Sequence, residues 1–101
     1  MNEKVKFYRN AERVLSFIWI NRFRYTHIDE IKKEFEFVLA DEELVNIINH
    51  LCNKDYIYIT DHQNNTSFKR IKNLSCNVIL KITLKGIKFL SCQRWNQKVN
   101  K

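Results

Sequence analysis

The chain has 101 residues, 45% hydrophobic and 13% aromatic, which suits one modest core, leaves no room for a second domain and argues against disorder. No apolar run approaches the roughly 20 residues that span a bilayer; the longest, residues 14–20, contains Ser16. One glycine, Gly86, and no proline exclude a glycine-rich phosphate loop and a dinucleotide fingerprint.

The N-terminal residues carry charges without a long apolar stretch or a small-residue cleavage site, so no signal peptide is expected and a cytoplasmic location is the default. Cys52, Cys76 and Cys92 are odd in number and widely spaced, which fits free thiols rather than a disulfide framework. The net charge of +7 is unevenly placed. Residues 1–60 hold nine Lys/Arg against ten Asp/Glu, whereas residues 61–101 hold nine against one, Asp61. A positive field on one part of a small domain attracts polyanions, nucleic acid being the commonest, although lysine also serves plain solubility.

A first helix is expected at about residues 4–21, where Phe7, Ala11, Val14, Leu15 and Ile18 recur at helical spacing, on one face with Tyr8 and Trp19. A second is expected at about 27–36, with Thr26 as N-cap and Ile28, Ile31 and Phe35 as its buried stripe. After a break at 37–40, a third is expected at about 41–53. Asp41 can cap it, Glu42 and Glu43 suit its N-terminal dipole, and Leu44, Ile47, Ile48 and Leu51 form the stripe. Asn53, which tolerates a left-handed conformation, is the expected C-terminal cap.

The period then changes. Tyr56 to Thr60 is β-branched or aromatic and reads as a strand. Residues 61–67 are polar, with Asn64 and Asn65 as the natural turn. A second strand is expected within 68–72 and a third short one at 78–82. Thr83 then caps a final helix, about 84–97, with Leu84, Ile87, Leu90 and Trp95 on its apolar face. The expected fold is a single α+β domain, mainly α with a small antiparallel β wing over about 56–82, in the order α-α-α-β-β-α with a third short strand.

Two segments carry a family resemblance: Leu44-x-x-Ile47-Ile48-x-x-Leu51-x-x-x-x-Tyr56-Ile57, and Ile82-Thr83-Leu84-Lys85-Gly86-x-x-Phe89-Leu90. The first resembles a recognition helix running into the wing of the winged helix-turn-helix superfamily. The second resembles the junction of wing strand and last helix in its small bacterial, archaeal and viral regulators. Lys54-Asp55 stands where many of those proteins have a glycine.

The resemblance implies a transcriptional regulator that binds double-stranded DNA, with the helix at 41–53 in the major groove and the wing on phosphates or in the minor groove. The outward residues of that helix are Glu42, Glu43, Asn46, Asn49, His50 and Asn53. Asparagine can make paired hydrogen bonds to adenine, but this face has no cation, and Glu42 and Glu43 carry the wrong sign for phosphate. The cations lie elsewhere: Lys69, Arg70 and Lys72 in the wing, with His62, Gln63, Asn64 and Asn65 near its tip, then Lys81, Lys85 and Lys88, with Arg22 and Arg24 between the first two helices. Such residues hold phosphates without reading bases.

Phe17 and Phe89 fall off the core stripes of the first and last helices, the pair that in many such regulators packs across a two-fold. A homodimer through Phe17 and Phe89 is therefore expected. No metal site is expected: of the six Cys and His residues, His50 and Cys52 project about 200° apart on their helix. No cofactor, small-molecule ligand, membrane or catalytic constellation is inferred. The alternative function is a winged-helix protein-interaction module whose acidic third helix faces a protein.

Overall fold

The computed structural model describes residues 3–61 and 66–99, with side chains to Gln93. Among these residues four helices and a four-stranded antiparallel sheet form an α+β fold, with the strands in the order β1-β4-β2-β3. Helix α1 (Glu3–Ile20) buries Ala11, Val14, Leu15 and Ile18 of the expected stripe, together with Asn10, while Phe7 is half-buried and Tyr8 exposed. At the end of the helix the bonding tightens, with the Arg22 N–H on Trp19 O at 3.2 Å, and side chains add to the last carbonyls: Asn21 Nδ2 donates to Phe17 O at 2.8 Å and Arg22 Nη1 to Trp19 O at 2.9 Å.

Strand β1 (Thr26–His27) was not foreseen. Thr26 is not a helix cap but a buried strand residue opposite Leu80. The N-cap of α2 (Ile28–Phe35) is His27, whose Nδ1 accepts from the Asp29 N–H at 3.3 Å. Ile28, Ile31 and Phe35 are buried as expected, and Leu39 anchors the following turn in the core.

Helix α3 (Asp41–Asn53) is capped by Ala40 rather than Asp41, and Glu43 Oε1 accepts from the Ala40 N–H at 3.1 Å. Leu44, Ile47, Ile48 and Leu51 are buried. At the other end Asn53 is still helical, and Asp55 takes the left-handed conformation, with φ of 62°. Aspartate fills that position because its short polar side chain tolerates it. The reversal lets the Tyr56 N–H close on Leu51 O at 3.0 Å and starts β2 (Ile57–Asp61).

Strand β2 pairs with β3 (Ser67–Phe68) and, over its whole length, with β4 (Val78–Ile82). The second strand is thus two residues long, not a run within 68–72. Residues 69–77 are irregular and bring Ile71 and Leu74 into the core. The expected turn at Asn64 and Asn65, with His62 and Gln63, lies outside the described residues.

Thr83 caps α4 (Leu84–Val99): its Oγ1 accepts from the Gly86 N–H at 3.0 Å and donates to Asp55 O at 2.5 Å. These bonds set the rotation of α4 so that Gly86 and Leu90 are buried while Leu84 is exposed, contrary to expectation. The side chain of Trp95 lies outside those described. Among the described residues no helix is long and apolar enough to cross a membrane.

Candidate nucleic-acid interface

At 100° per residue, Glu42, Asn46, Asn49 and Asn53 form one outward ridge on α3. Val45 and Cys52 turn to one side of it, Glu43 and His50 to the other. Glu42, Asn46 and Asn53 are exposed. The 69–75 segment lies on the first side, and a groove of about 390 Å³ runs between it and α3, lined by Asp41, Glu42, Asn46, Asn49, Arg70 and Lys72 among others.

Asn49 builds this arrangement and is not free to read bases. Its Nδ2 donates to Ile71 O at 2.9 Å, and its Oδ1 accepts from the Ile71 N–H at 2.8 Å. With both polar groups of Ile71 taken by a side chain, this residue cannot join a strand ladder, which explains why β3 is so short. The buried Ile71 side chain and the Asn49 amide together fix Arg70 and Lys72, both exposed, beside the ridge. Lys69 is exposed next to them.

On the other side, the first turns of α1 supply Lys4 and Lys6, which line a second groove of about 460 Å³ with Glu43 and Asn46. Sequence reasoning missed both lysines, because only the α1–α3 packing brings them to the ridge. Two of the three acids in the first turn of α3 have local roles. Glu43 caps its own helix, and Asp41 lies 3.9 Å from Lys32 Nζ. Glu42 remains exposed on the ridge.

His50 leans away from the ridge against Phe7 and Tyr8, with ring centroids at 5.3 and 5.5 Å. Burial, then the charge of Lys54, holds its pKa below the ordinary value of 6.5. The unfolded chain therefore binds this proton more readily than the folded one. The stability that His50 contributes is full above about pH 6.5 and is lost as pH falls toward the lowered value. Denaturant melts at several pH values are expected to show an acid-side loss that is smaller in His50→Phe. Parallel curves for the two proteins would remove the role given to this ring.

The other expected site residues divide. Lys85 is exposed, with its ammonium 5.9 Å from the Tyr56 ring centroid. The Arg22 guanidinium lies over Trp19 at 3.5 Å and over Phe23 at 4.3 Å. Arg24 pairs with Glu30 at 2.8 Å and donates to Asn21 Oδ1 at 3.0 Å. Both arginines thus order the α1–β1 connection.

Phe17 and Phe89 are half-buried, not off the core. Phe17 meets Phe35 edge-on at 6.0 Å, and Phe89 stacks on Tyr56 at 4.6 Å. Their packing removes the premise on which a dimer through these two rings was expected.

Burial raises the thiol pKa of Cys52 and of Cys76, helped by the charge of Asp55 and of Asp29 respectively. Both stay protonated at neutral pH, which disfavours them as nucleophiles. Among the described residues no three His, Cys, Asp or Glu side chains converge on a point where a metal ion would sit. No protein-family model, no curated protein and no solved structure matches this chain.

Proposed function

We propose that the chain is a winged helix-turn-helix protein that binds duplex DNA as a transcriptional regulator, with α3 in the major groove and the 69–75 segment of the wing beside it on phosphate. The element order supports this reading: β1 falls between α1 and α2 and pairs with β4 as an edge strand of the small sheet. The observation that carries the DNA assignment is the ridge on α3 with cations along both sides, Lys4 and Lys6 from α1 and Arg70 and Lys72 from the clamped segment. A helix in the major groove meets a phosphate backbone on each side, so flanking cations position it while the ridge faces base edges. Asn46 is the adenine reader in this arrangement, and Glu42 an acceptor for the cytosine amine.

Fluorescence anisotropy on random and selected duplexes at several salt concentrations tests it. Affinity should fall with salt at a log–log slope of about −0.9 per phosphate contact. Replacing Lys69, Arg70 and Lys72 with alanine should flatten the slope by roughly 2–3 units, and replacing Lys4 and Lys6 by about 2. Asn46→Ala should leave the slope alone and change the preference among sequences by about 1–3 kcal/mol. A second reading, a protein-interaction module, draws on exposed Glu42 and on Phe37 and Val38, both exposed at the α2–α3 turn. Failure to bind either duplex at low salt would reject the regulator and favour the module.

A further inference from the structure

The outward face of the sheet carries a row of residues that, Lys69 at its edge apart, the duplex interface does not use. Tyr58 on β2 stands directly opposite Lys81 on β4. On the other flank of β4, Tyr25 precedes Thr26, the β1 residue paired with Leu80, and its ring centroid lies 4.7 Å from Lys81 Nζ. Lys81 is therefore set between two tyrosines, Tyr25 at 60% exposure and Tyr58 at 43%. The two aromatic positions are two strand spacings apart, about 10 Å.

The neighbouring Ile57, Ile59 and Leu80, which alternate with this row, are buried in the core, so the row is fixed on a rigid platform. No hydrogen bond, ion pair or ring contact engages the Tyr58 side chain among the described residues. No carboxylate stands in the row. Lys69 directly follows Phe68, the β3 residue paired with Ile59, and extends the same positive charge toward the far edge of the sheet.

Two exposed rings flanking an ammonium on a rigid sheet form a stacking platform with a phosphate contact between the stacking positions. We propose that this face binds single-stranded nucleic acid, with bases stacked on Tyr58 and Tyr25 and the intervening phosphate held by Lys81. A duplex cannot use it in this way, because its bases are stacked on one another and present only their edges. Tyr25, Tyr58 and Lys81 line neither groove beside the α3 ridge, so the two sites can fail independently.

The test is anisotropy with a labelled thymidine oligonucleotide about 12 nucleotides long, on the full chain at low salt, beside a duplex probe. Tyr58→Ala is expected to weaken oligonucleotide binding by about 5- to 150-fold, the usual worth of one base–aromatic stack, and to leave duplex binding unchanged. Tyr58→Phe should retain oligonucleotide binding, which separates loss of the ring from a folding defect. Lys81→Ala should weaken binding and flatten its salt dependence by about 0.7 units. Asn46→Ala should leave oligonucleotide binding intact. The proposal is overturned if the oligonucleotide does not bind, or if Tyr58→Ala binds it as well as the parent does. It is equally overturned if Tyr58→Phe loses as much as Tyr58→Ala, or if Asn46→Ala weakens both probes alike, which would place the oligonucleotide on the α3 ridge.

Discussion

Gly86→Ala is expected to destabilise the protein by about 3 kcal/mol, at the upper end of the range for an overpacked site. Helix propensity alone predicts the opposite sign, since alanine favours a helix interior over glycine by about 1 kcal/mol. The structure decides between the two effects. A Cβ at Gly86 would overlap the carbonyl oxygen of Tyr56 and come within 2.8 Å of Ile82 Cγ1 and 3.1 Å of the Tyr56 carbonyl carbon.

That carbonyl cannot retreat easily. It accepts from the Thr83 N–H at 2.9 Å, and Tyr56 is held between the left-handed Asp55 and the start of β2. The glycine is needed for close approach and not for an unusual φ, because its φ is not positive. Denaturant melts measure the effect. A variant as stable as the parent, or more so, would mean that α4 shifts away from Tyr56 at little cost. Gly86→Val should be worse still, since its larger side chain adds to the same overlap.

Asn49→Ala is expected to produce the largest change at the proposed interface although it alters no charge. The substitution removes both hydrogen bonds to Ile71 and leaves that residue's N–H and C=O unpaired at the edge of the core. The stability cost should be about 1–3 kcal/mol. The functional consequence follows from position: Arg70 and Lys72 adjoin Ile71, so freeing that residue frees them from the side of α3.

Under the DNA-binding proposal, the salt slope of Asn49→Ala should then flatten toward that of the variant lacking Lys69, Arg70 and Lys72. Asn46→Ala, on the same ridge but without such a bond, should keep the parental slope. Amide hydrogen exchange at Ile71 gives a readout that does not depend on DNA, and its protection should be lost in Asn49→Ala. If Asn49→Ala changes only the preference among duplex sequences, with slope and protection intact, then Asn49 leaves Ile71 on binding and reads a base.

The features legible in the sequence were those that repeat along one element. The stripes Val14, Leu15, Ile18 and Leu44, Ile47, Ile48, Leu51 follow from the helical period, and burial of one face is what creates that period. The change to β-branched and aromatic residues after Asp55 marks β2, and Thr83 marks α4 by the chemistry of its own hydroxyl.

Strand β1 left no such trace, because two residues have no alternation and Thr26 is a strand residue only through its pairing with Leu80. The same limit explains Thr26 as a mistaken cap, Asn53 in place of Asp55, and Leu84 as a mistaken core residue. For the two caps a residue nearby in sequence has the same aptitude, and for Leu84 the bonds of Thr83 set the helix rotation; tertiary contacts decided each case. The charge split placed cations in the C-terminal part of the chain, but not beside α3. The Asn49–Ile71 bonds and the α1–α3 packing put Arg70, Lys72, Lys4 and Lys6 along the ridge. Periodicity reports which face of an element is buried; which side chains then meet depends on how far each element is rotated and shifted against its neighbours, and only the assembled core sets that.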